Sequence, residues 1–230
     1  MYRLESVSKH YPQSEKNVTA LQPTTLDIAD GEFIAVVGPS GSGKSTLLTL
    51  LGGMLAPSEG KVLFDGQSLY DLSVTKRAEL RRLKMGFVFQ TFNLVSYLTA
   101  QQNVEVPLLL SGQSKSTQRQ RALELLDQVG LADRAHHKPS QLSTGQQQRV
   151  ALARTLANDP LVILADEPTG NLDPTTRDVV LTFLDEFHRA GKTILMVTHD
   201  PQAASRATRT LQMIAGTVSG ESSPVVRQVA

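Results

Sequence analysis

A chain of 230 residues with 40% apolar content is long enough for one substantial globular core, or a core with a subdomain, and its net charge of +1 argues against the broad basic footprint of a nucleic-acid binder. It contains no cysteine, which rules out a disulfide framework and fits a reducing compartment. No secretory h-region opens the sequence and no purely apolar run approaches the ~20 residues of a spanning helix, so a soluble chain is expected, with any membrane role exercised through a partner.

Residues 2–7 and 24–28 read as short strands, and Asp30-Gly31 marks a turn before the apolar run 33–37, a buried strand. Directly after it stand Gly38, Pro39, Ser40, Gly41, Ser42, Gly43, Lys44 and Ser45, a complete Walker A loop. Residues 45–51, with Thr46 and a series of leucines, have the apolar content of a packed helix. Strand, glycine-rich loop and helix start are what phosphate binding needs. Glycines let backbone N–H groups turn inward around a β-phosphate, the helix N-terminus contributes a positive dipole, Lys44 reaches the β/γ oxygens and the Ser45 hydroxyl can ligate Mg²⁺. A glycine-rich turn before a helix can be purely structural, but the flanking strand and helix favour a nucleoside triphosphate site.

Residues 61–64, ahead of Asp65-Gly66, form a further expected strand. Lys76, Arg77, Arg81, Arg82 and Lys84, with Glu79 among them, read as a solvated helix face, the alternative being contact with a phosphate-rich surface or an acidic partner. The apolar run 86–89 ends at Gln90, whose amide oxygen can complete a Mg²⁺ or water shell. Between residues 99 and 159 the period becomes helical through Val104, Leu108, Leu109, Ala122, Leu125, Leu126 and Val129. His136-His137 resembles a metal pair only superficially, because adjacent side chains point apart and no third ligand is clustered with them. Ser143 and Gly145 fall at a helix start, where hydroxyl and backbone N–H groups suit an anion, although Ser143 as a simple N-cap gives the same pattern.

After Pro160 the alternation returns: strand 161–165, helix 175–190 and strand 193–198, the wiring of a parallel α/β sheet. The first of these strands ends in Asp166 and Glu167. Alone, such a pair is more often a solvated strand end. With a Walker A loop earlier in the chain, Asp166 becomes the candidate for the Mg²⁺ shell and Glu167 for the general base on an attacking water. His199, at the end of the last strand, is suited to hold a γ-phosphate or that water, though a solitary terminal histidine is ordinarily structural. Residues 220–230 are polar and aperiodic, and a frayed tail is expected there.

Leu142-Ser143-Thr144-Gly145-Gln146, followed by Gln147-Gln148-Arg149-Val150-Ala151-Leu152-Ala153-Arg154, resembles the signature motif and helix of ATP-binding cassette (ABC) ATPases. Tyr11, Gln90, Asn171-Leu172-Asp173 and Thr198-His199-Asp200 match, in order and rough spacing, that family's aromatic loop, Q-loop, D-loop and switch histidine. The resemblance implies an α/β fold, a P-loop ABC ATPase core with a parallel sheet, an antiparallel β subdomain and an inserted α-helical subdomain. It places one domain over residues 1–219, the helical lobe at roughly 91–159, and a flexible tail over 220–230. ATP and Mg²⁺ are the implied cofactors. Tyr11 would stack on adenine; Gly38 to Thr46 would surround the phosphates; Ser45, Gln90 and Asp166 would serve the metal, and Glu167 and His199 catalysis. Ser143, Gly145, Gln146 and Asp173 would face the nucleotide of the opposite subunit in a head-to-tail homodimer. Thr144 stands where the usual motif has its first glycine; threonine disfavours a left-handed backbone and adds bulk, which puts dimer closure or turnover in question.

Residues 166–173 and Gln90-Thr91-Phe92-Asn93-Leu94 resemble the bacterial subfamily that serves lipoprotein release, macrolide and peptide export, and cell division. The implied activity is ATP hydrolysis driving an integral membrane permease, as an exporter or a mechanically acting envelope complex, from the cytoplasmic face of the inner membrane and with no direct nucleic-acid partner. The ATPase of a conventional importer and a non-transport regulatory ABC ATPase are the alternatives. Phe92, Leu94, Val95, Tyr97 and Leu98 are expected to offer a groove to a permease helix, or else to fill the lobe's own core.

Overall fold

The computed structural model describes residues 1–12 and 18–222. In chain order the described elements are β1 (Tyr2–Tyr11), β2 (Val18–Ile28), β3 (Phe33–Val37), α1 (Lys44–Leu51), β4 (Glu59–Phe64), β5 (Gln67–Ser68), α2 (Val74–Lys84), β6 (Met85–Phe89), α3 (Ala100–Leu110), α4 (Lys115–Gln128), α5 (Thr144–Thr155), β7 (Val162–Asp166), α6 (Pro174–Arg189), β8 (Thr193–Thr198), α7 (Pro201–Ala204), β9 (Arg209–Ile214) and β10 (Thr217–Ser222), with short 3₁₀ turns at Ala132–Arg134 and Pro139–Gln141.

Strands β9, β3, β8, β7 and β6 run parallel side by side, and β10 returns antiparallel along β9. A separate antiparallel sheet has the order β2-β1-β4-β5. Helices α3, α4 and α5 lie between β6 and β7 in the chain. The central strands read as continuous apolar runs because both faces of a parallel sheet are covered. Phe33 and Ala35 of β3 and Ile163 and Ala165 of β7 pack into the core shared with α3 to α6. Their neighbours Ile34, Val36, Val162 and Leu164 pack on the other side, with the leucines of α1 and the antiparallel sheet. The period of two along each strand thus assigns alternate residues to two different cores.

Caps fix where the helices begin. Ser73, Thr99, Ser114, Ser143, Asp173 and Asp200 each accept a backbone N–H of the following first turn, which satisfies donors that a helix start otherwise leaves open. The site depends on two of these, because Ser143 and Asp173 set the starts of α5 and α6.

The structure extends several sequence readings. β1 continues past residue 7 to Tyr11 because it is paired on both sides and its polar end residues Lys9, His10 and Tyr11 find partners in Leu21, Thr19 and Val18. The hairpin of β9 and β10 lies beyond the strands read from the sequence; in β9, Leu211 and Met213 point inward and Gln212 and Ile214 outward. The expected fraying from residue 220 is corrected at its start, because β10 runs to Ser222, with Glu221 opposite Leu211 and Ser222 opposite Thr210. Backbone pairing, not side-chain pattern, holds that end. Residues 223–230 lie outside the described residues.

Candidate functional site

The parallel registers bring the carboxyl ends of four strands to one edge. Val37 pairs with Thr198, Asp166 with Val197, and Phe89 with Asp166, so the loops leaving β3, β8, β7 and β6 open beside one another. Open α/β sheets bind ligands in such a crevice. A cleft of about 670 Å³ lies there, lined by Ala20, Ser40, Gly41, Gly43, Lys44, Ser45, Thr46, Gln90, Asp166, Glu167, Val197 and His199. That volume falls in the range of small-molecule sites.

Its floor is the glycine-rich loop. Gly43 holds φ +104 at the start of α1, and a Cβ there would stand 2.1 Å from the Ala20 carbonyl oxygen, so both the turn and the approach of β2 exclude any other residue. The Lys44 ammonium is buried and donates to the carbonyl oxygens of Gly38 at 2.8 Å and Pro39 at 3.0 Å. A lysine resting on its own loop's carbonyls places a positive charge in the cradle. Gly216 N donates to Ser42 O at 2.9 Å and Gln22 N to Gly216 O at 2.8 Å, which pins the loop to the β9–β10 turn and to β2.

Across the cleft the Ser45 hydroxyl donates to Asp166 Oδ1 at 3.0 Å. Burial pushes the Asp166 carboxyl above the usual carboxylate range; the Ser45 hydrogen bond opposes this, the nearby Glu167 charge reinforces it, and Lys44 opposes it. Glu167 has φ +47, a conformation few non-glycine residues adopt, with its N–H held by Val197 O at 2.9 Å. Its Oε1 lies 2.9 Å from His199 Nδ1, and its Oε2 is buried without a partner. Gln90 meets the D-loop: its Nε2 donates to Asn171 Oδ1 at 3.5 Å, and Asn171 Nδ2 donates to the Gln90 carbonyl oxygen at 3.4 Å.

The structure therefore gathers Ser40, Gly41, Gly43, Lys44, Ser45, Thr46, Gln90, Asp166, Glu167 and His199 around one cleft, with Gly38, Pro39 and Ser42 in the same loop. Tyr11 is not in the lining. It ends β1 opposite Val18, exposed, with Lys9 Nζ 5.3 Å from its ring centroid. Ser143, Gly145, Gln146 and Asp173 also stand outside the cleft lining, at the starts of α5 and α6. Ser143 Oγ accepts from Gln146 N at 3.3 Å while Gln146 Oε1 accepts from Ser143 N at 2.9 Å. Asp173 Oδ1 accepts from Thr176 N at 3.1 Å; the Thr176 side chain first, and this cap second, hold its carboxyl below the usual range. Gly145 is a close-approach glycine: a Cβ would lie 2.3 Å from Thr176 Cγ2. The concern over a left-handed backbone at Thr144 is corrected, because Thr144 is the first residue of α5 and is not among the non-glycine residues with positive φ. Its bulk faces outward, as it is exposed.

Three residues that sequence reasoning did not single out tie these parts together. Thr176 joins the D-loop cap to Gly145. Arg154, at the far end of α5, donates to the carbonyl oxygens of Asn93 at 2.6 Å and Phe92 at 2.7 Å and so anchors the segment after Gln90. Gln148 donates to Pro168 O at 2.6 Å from full burial. Of the expected permease-facing residues, Leu94 packs against the helical-side core, whereas Tyr97 is 74% exposed.

The family model described as ABC transporter matches residues 21–170. An uncharacterised ABC transporter ATP-binding protein of Thermotoga maritima is 46% identical over 217 residues, covering 94% of this chain and 93% of that protein. The macrolide export ATP-binding/permease protein MacB of Hyphomonas neptunium is 45% identical over 222 residues, covering 96% of this chain and 34% of MacB. The chain thus spans about a third of the length of that relative. Among solved structures, the ATP-binding cassette MJ0796, in a dimeric post-hydrolysis state bound to ADP and Pi, superposes with a TM-score of 0.90 at 44% identity, covering 97% of this chain and 98% of that one.

Proposed function

The chain belongs to the ABC transporter family as an ATP-hydrolysing cassette, and from that premise we propose that it binds ATP·Mg²⁺ in the cleft, closes head to tail with a second copy, and drives a membrane permease of the export type. The observation that carries this reading is the division of polar groups between two faces: the cleft holds the phosphate loop and the acids, while the signature residues stand apart at the starts of α5 and α6. A second copy turned head to tail would offer its Ser143 face to the open side of the cleft.

The residues fit the metal. The Ser45 hydroxyl and Asp166 carboxylate, 3.0 Å apart, form a pair of oxygen donors of the kind Mg²⁺ accepts when phosphates and waters supply its remaining ligands. Bound there, the ion would neutralise charge building on the β/γ oxygens. Lys44 exchanges its two carbonyl partners for those oxygens, a pairing of opposite charges in place of a cation on neutral acceptors. Glu167 takes the proton from the water that attacks the γ-phosphorus as the bond to the bridging oxygen breaks, and His199, with Nδ1 2.9 Å from Oε1, bounds the carboxylate on its exposed side.

The MacB relatives join an ATP-binding part to a permease in their names, and this chain aligns with a third of their length, which supports a membrane partner and an export role. Among the described residues no helix is long and apolar enough to cross a membrane, so the reading puts this chain at the membrane through that partner. Glu167→Gln tests the hydrolytic step. Turnover is expected to fall roughly 10²-fold or more while ATP affinity stays within about twofold, because only the base is lost. With saturating ATP the variant should accumulate as a dimer by light scattering. Unchanged turnover removes Glu167 as the base, and a persistent monomer, in the purified chain and with its permease, removes the two-copy site.

A further inference from the structure

Gln148 lies in a helix whose next residues are Val150, Ala151, Leu152 and Ala153, all buried. It is itself 0% exposed, Nε2 donates to Pro168 O at 2.6 Å, and Oε1 is buried with no partner. Burying an amide with half of its hydrogen-bonding capacity unused is unfavourable, and a leucine or methionine would fill the same space without that cost. The hydrogen bond that is made must therefore serve more than packing.

Its acceptor is informative. Pro168 directly follows Glu167, has no N–H, and has its φ fixed by the ring, so its carbonyl is the one backbone hydrogen-bonding group Pro168 itself can offer. Glu167 itself occupies a left-handed conformation at φ +47 that its own side chain does not favour. On one side the strand holds it, through Glu167 N to Val197 O at 2.9 Å; on the other, Gly170 N closes a turn on Glu167 O at 3.1 Å. The carboxylate's own partner, His199, is 69% exposed and is a weak restraint. Gln148 supplies the rigid, buried fixed point behind this turn.

We propose that Gln148 is a positioning residue for hydrolysis: by holding the Pro168 carbonyl it keeps Glu167 in its strained conformation at the wall of the cleft, and so links the helix that begins at the signature segment to the hydrolytic acid of the same chain. The inference rests on Glu167 acting as the base. Gln148 touches neither nucleotide nor water in this account and acts through Glu167 alone.

Gln148→Met keeps the length and volume but removes the donor. Compared with the parent chain, it should lower single-turnover phosphate release about tenfold, since a displacement of the base by a fraction of an ångström is costly, while ATP affinity stays within about twofold. The decisive measurement is the combination with Glu167→Gln. If Gln148 works only through the Glu167 carboxylate, the double variant releases phosphate no more slowly than Glu167→Gln alone. A purely structural role would add its own loss. Gln148→Leu, neutral and also without a donor, provides a second variant should the methionine variant unfold. Normal release in a folded Gln148 variant, or a full additional loss on top of Glu167→Gln, overturns the proposal. Turnover that survives Glu167→Gln overturns the base assignment, and this inference with it; turnover lost there but intact in Gln148→Met overturns this inference alone.

Discussion

The nucleotide cleft and the signature face are both made from loops at the starts of helices, yet they leave their polar groups in opposite conditions. In the cleft, Lys44 rests on two carbonyls of its own loop across from Asp166 and Glu167, so the site gathers charged groups that cap no helix. At the signature face, Ser143, Gln146 and Asp173 are engaged in capping their own helices. The cleft's chemistry is incomplete without a ligand, whereas the signature face is complete as a piece of folding. Capping does not exhaust a serine, however. Ser143 Oγ accepts from Gln146 N, and its own O–H proton is not consumed by that bond. The face can therefore donate to a phosphate oxygen without disturbing the helix start, which is the behaviour expected of a preformed surface offered to a second copy.

Lys44→Ala should give the largest effect, since it removes the one buried cation in contact with the loop that would cradle the phosphates. Loss of a charged donor of this kind is expected to cost roughly 10²-fold or more in turnover, with ATP affinity falling alongside, in monomer and dimer alike. Isothermal titration and phosphate release measure the two. Affinity and turnover near the parent values would dissolve the contrast at its cleft end. Ser143→Ala probes the other end and should behave differently. Removing the cap costs about 1 kcal/mol of stability in urea denaturation, and ATP affinity of the monomer should not change. On the proposed two-copy site, turnover should drop by about tenfold to a hundredfold for loss of one aligned donor. A weakened monomer affinity would mean that Ser143 serves its own cleft, contrary to its distance from the lining.

How much of this was readable in advance follows the same division. The phosphate loop and the acids after β7 were legible because their chemistry is written in contiguous residues, His199 only through the family resemblance, and the parallel registers then had only to bring strand ends together. The hairpin β9–β10 was not, because only Leu211 and Met213 carry the inward period of β9 and the exposed Ile214 blurs it, and with it went the role of Gly216 in fixing the loop at Ser42. The run Gln146-Gln147-Gln148 shows the limit best. Three identical side chains follow one another; the first closes a capping box, the second bonds Leu142 O at 3.1 Å, and the third is buried against Pro168. Only the rotation of 100° per residue along α5, set against a sheet edge the sequence does not locate, separates them. Arg154 is similar: as the basic residue near the end of an amphipathic helix it reads as solvated, and only the fold turns it toward Phe92 and Asn93.

The smallest expected effect belongs to Thr144, and it isolates the second copy from everything else. Thr144 opens α5 with an ordinary helical backbone and an exposed side chain, so a glycine there relieves no strain and vacates no core. Thr144→Gly should change the stability of the chain by less than about 1 kcal/mol, the difference in helix propensity being at its weakest in the first turn. ATP affinity measured at dilute protein should be unchanged as well, because no atom of the cleft is touched. The only surface that can register the missing methyl and hydroxyl is one pressed against the start of α5. If that surface is the open cleft of another copy, turnover will depend on the variant only at protein concentrations where two copies meet, and phosphate release per chain, plotted against concentration, will separate from the parent curve by a few-fold while the dilute limits coincide, as expected for contacts that act only on association. Curves that coincide at every concentration would place Thr144 away from the contact, and curves that differ even at infinite dilution would show that the start of α5 reaches its own chain's chemistry, leaving the separation of the two faces without support.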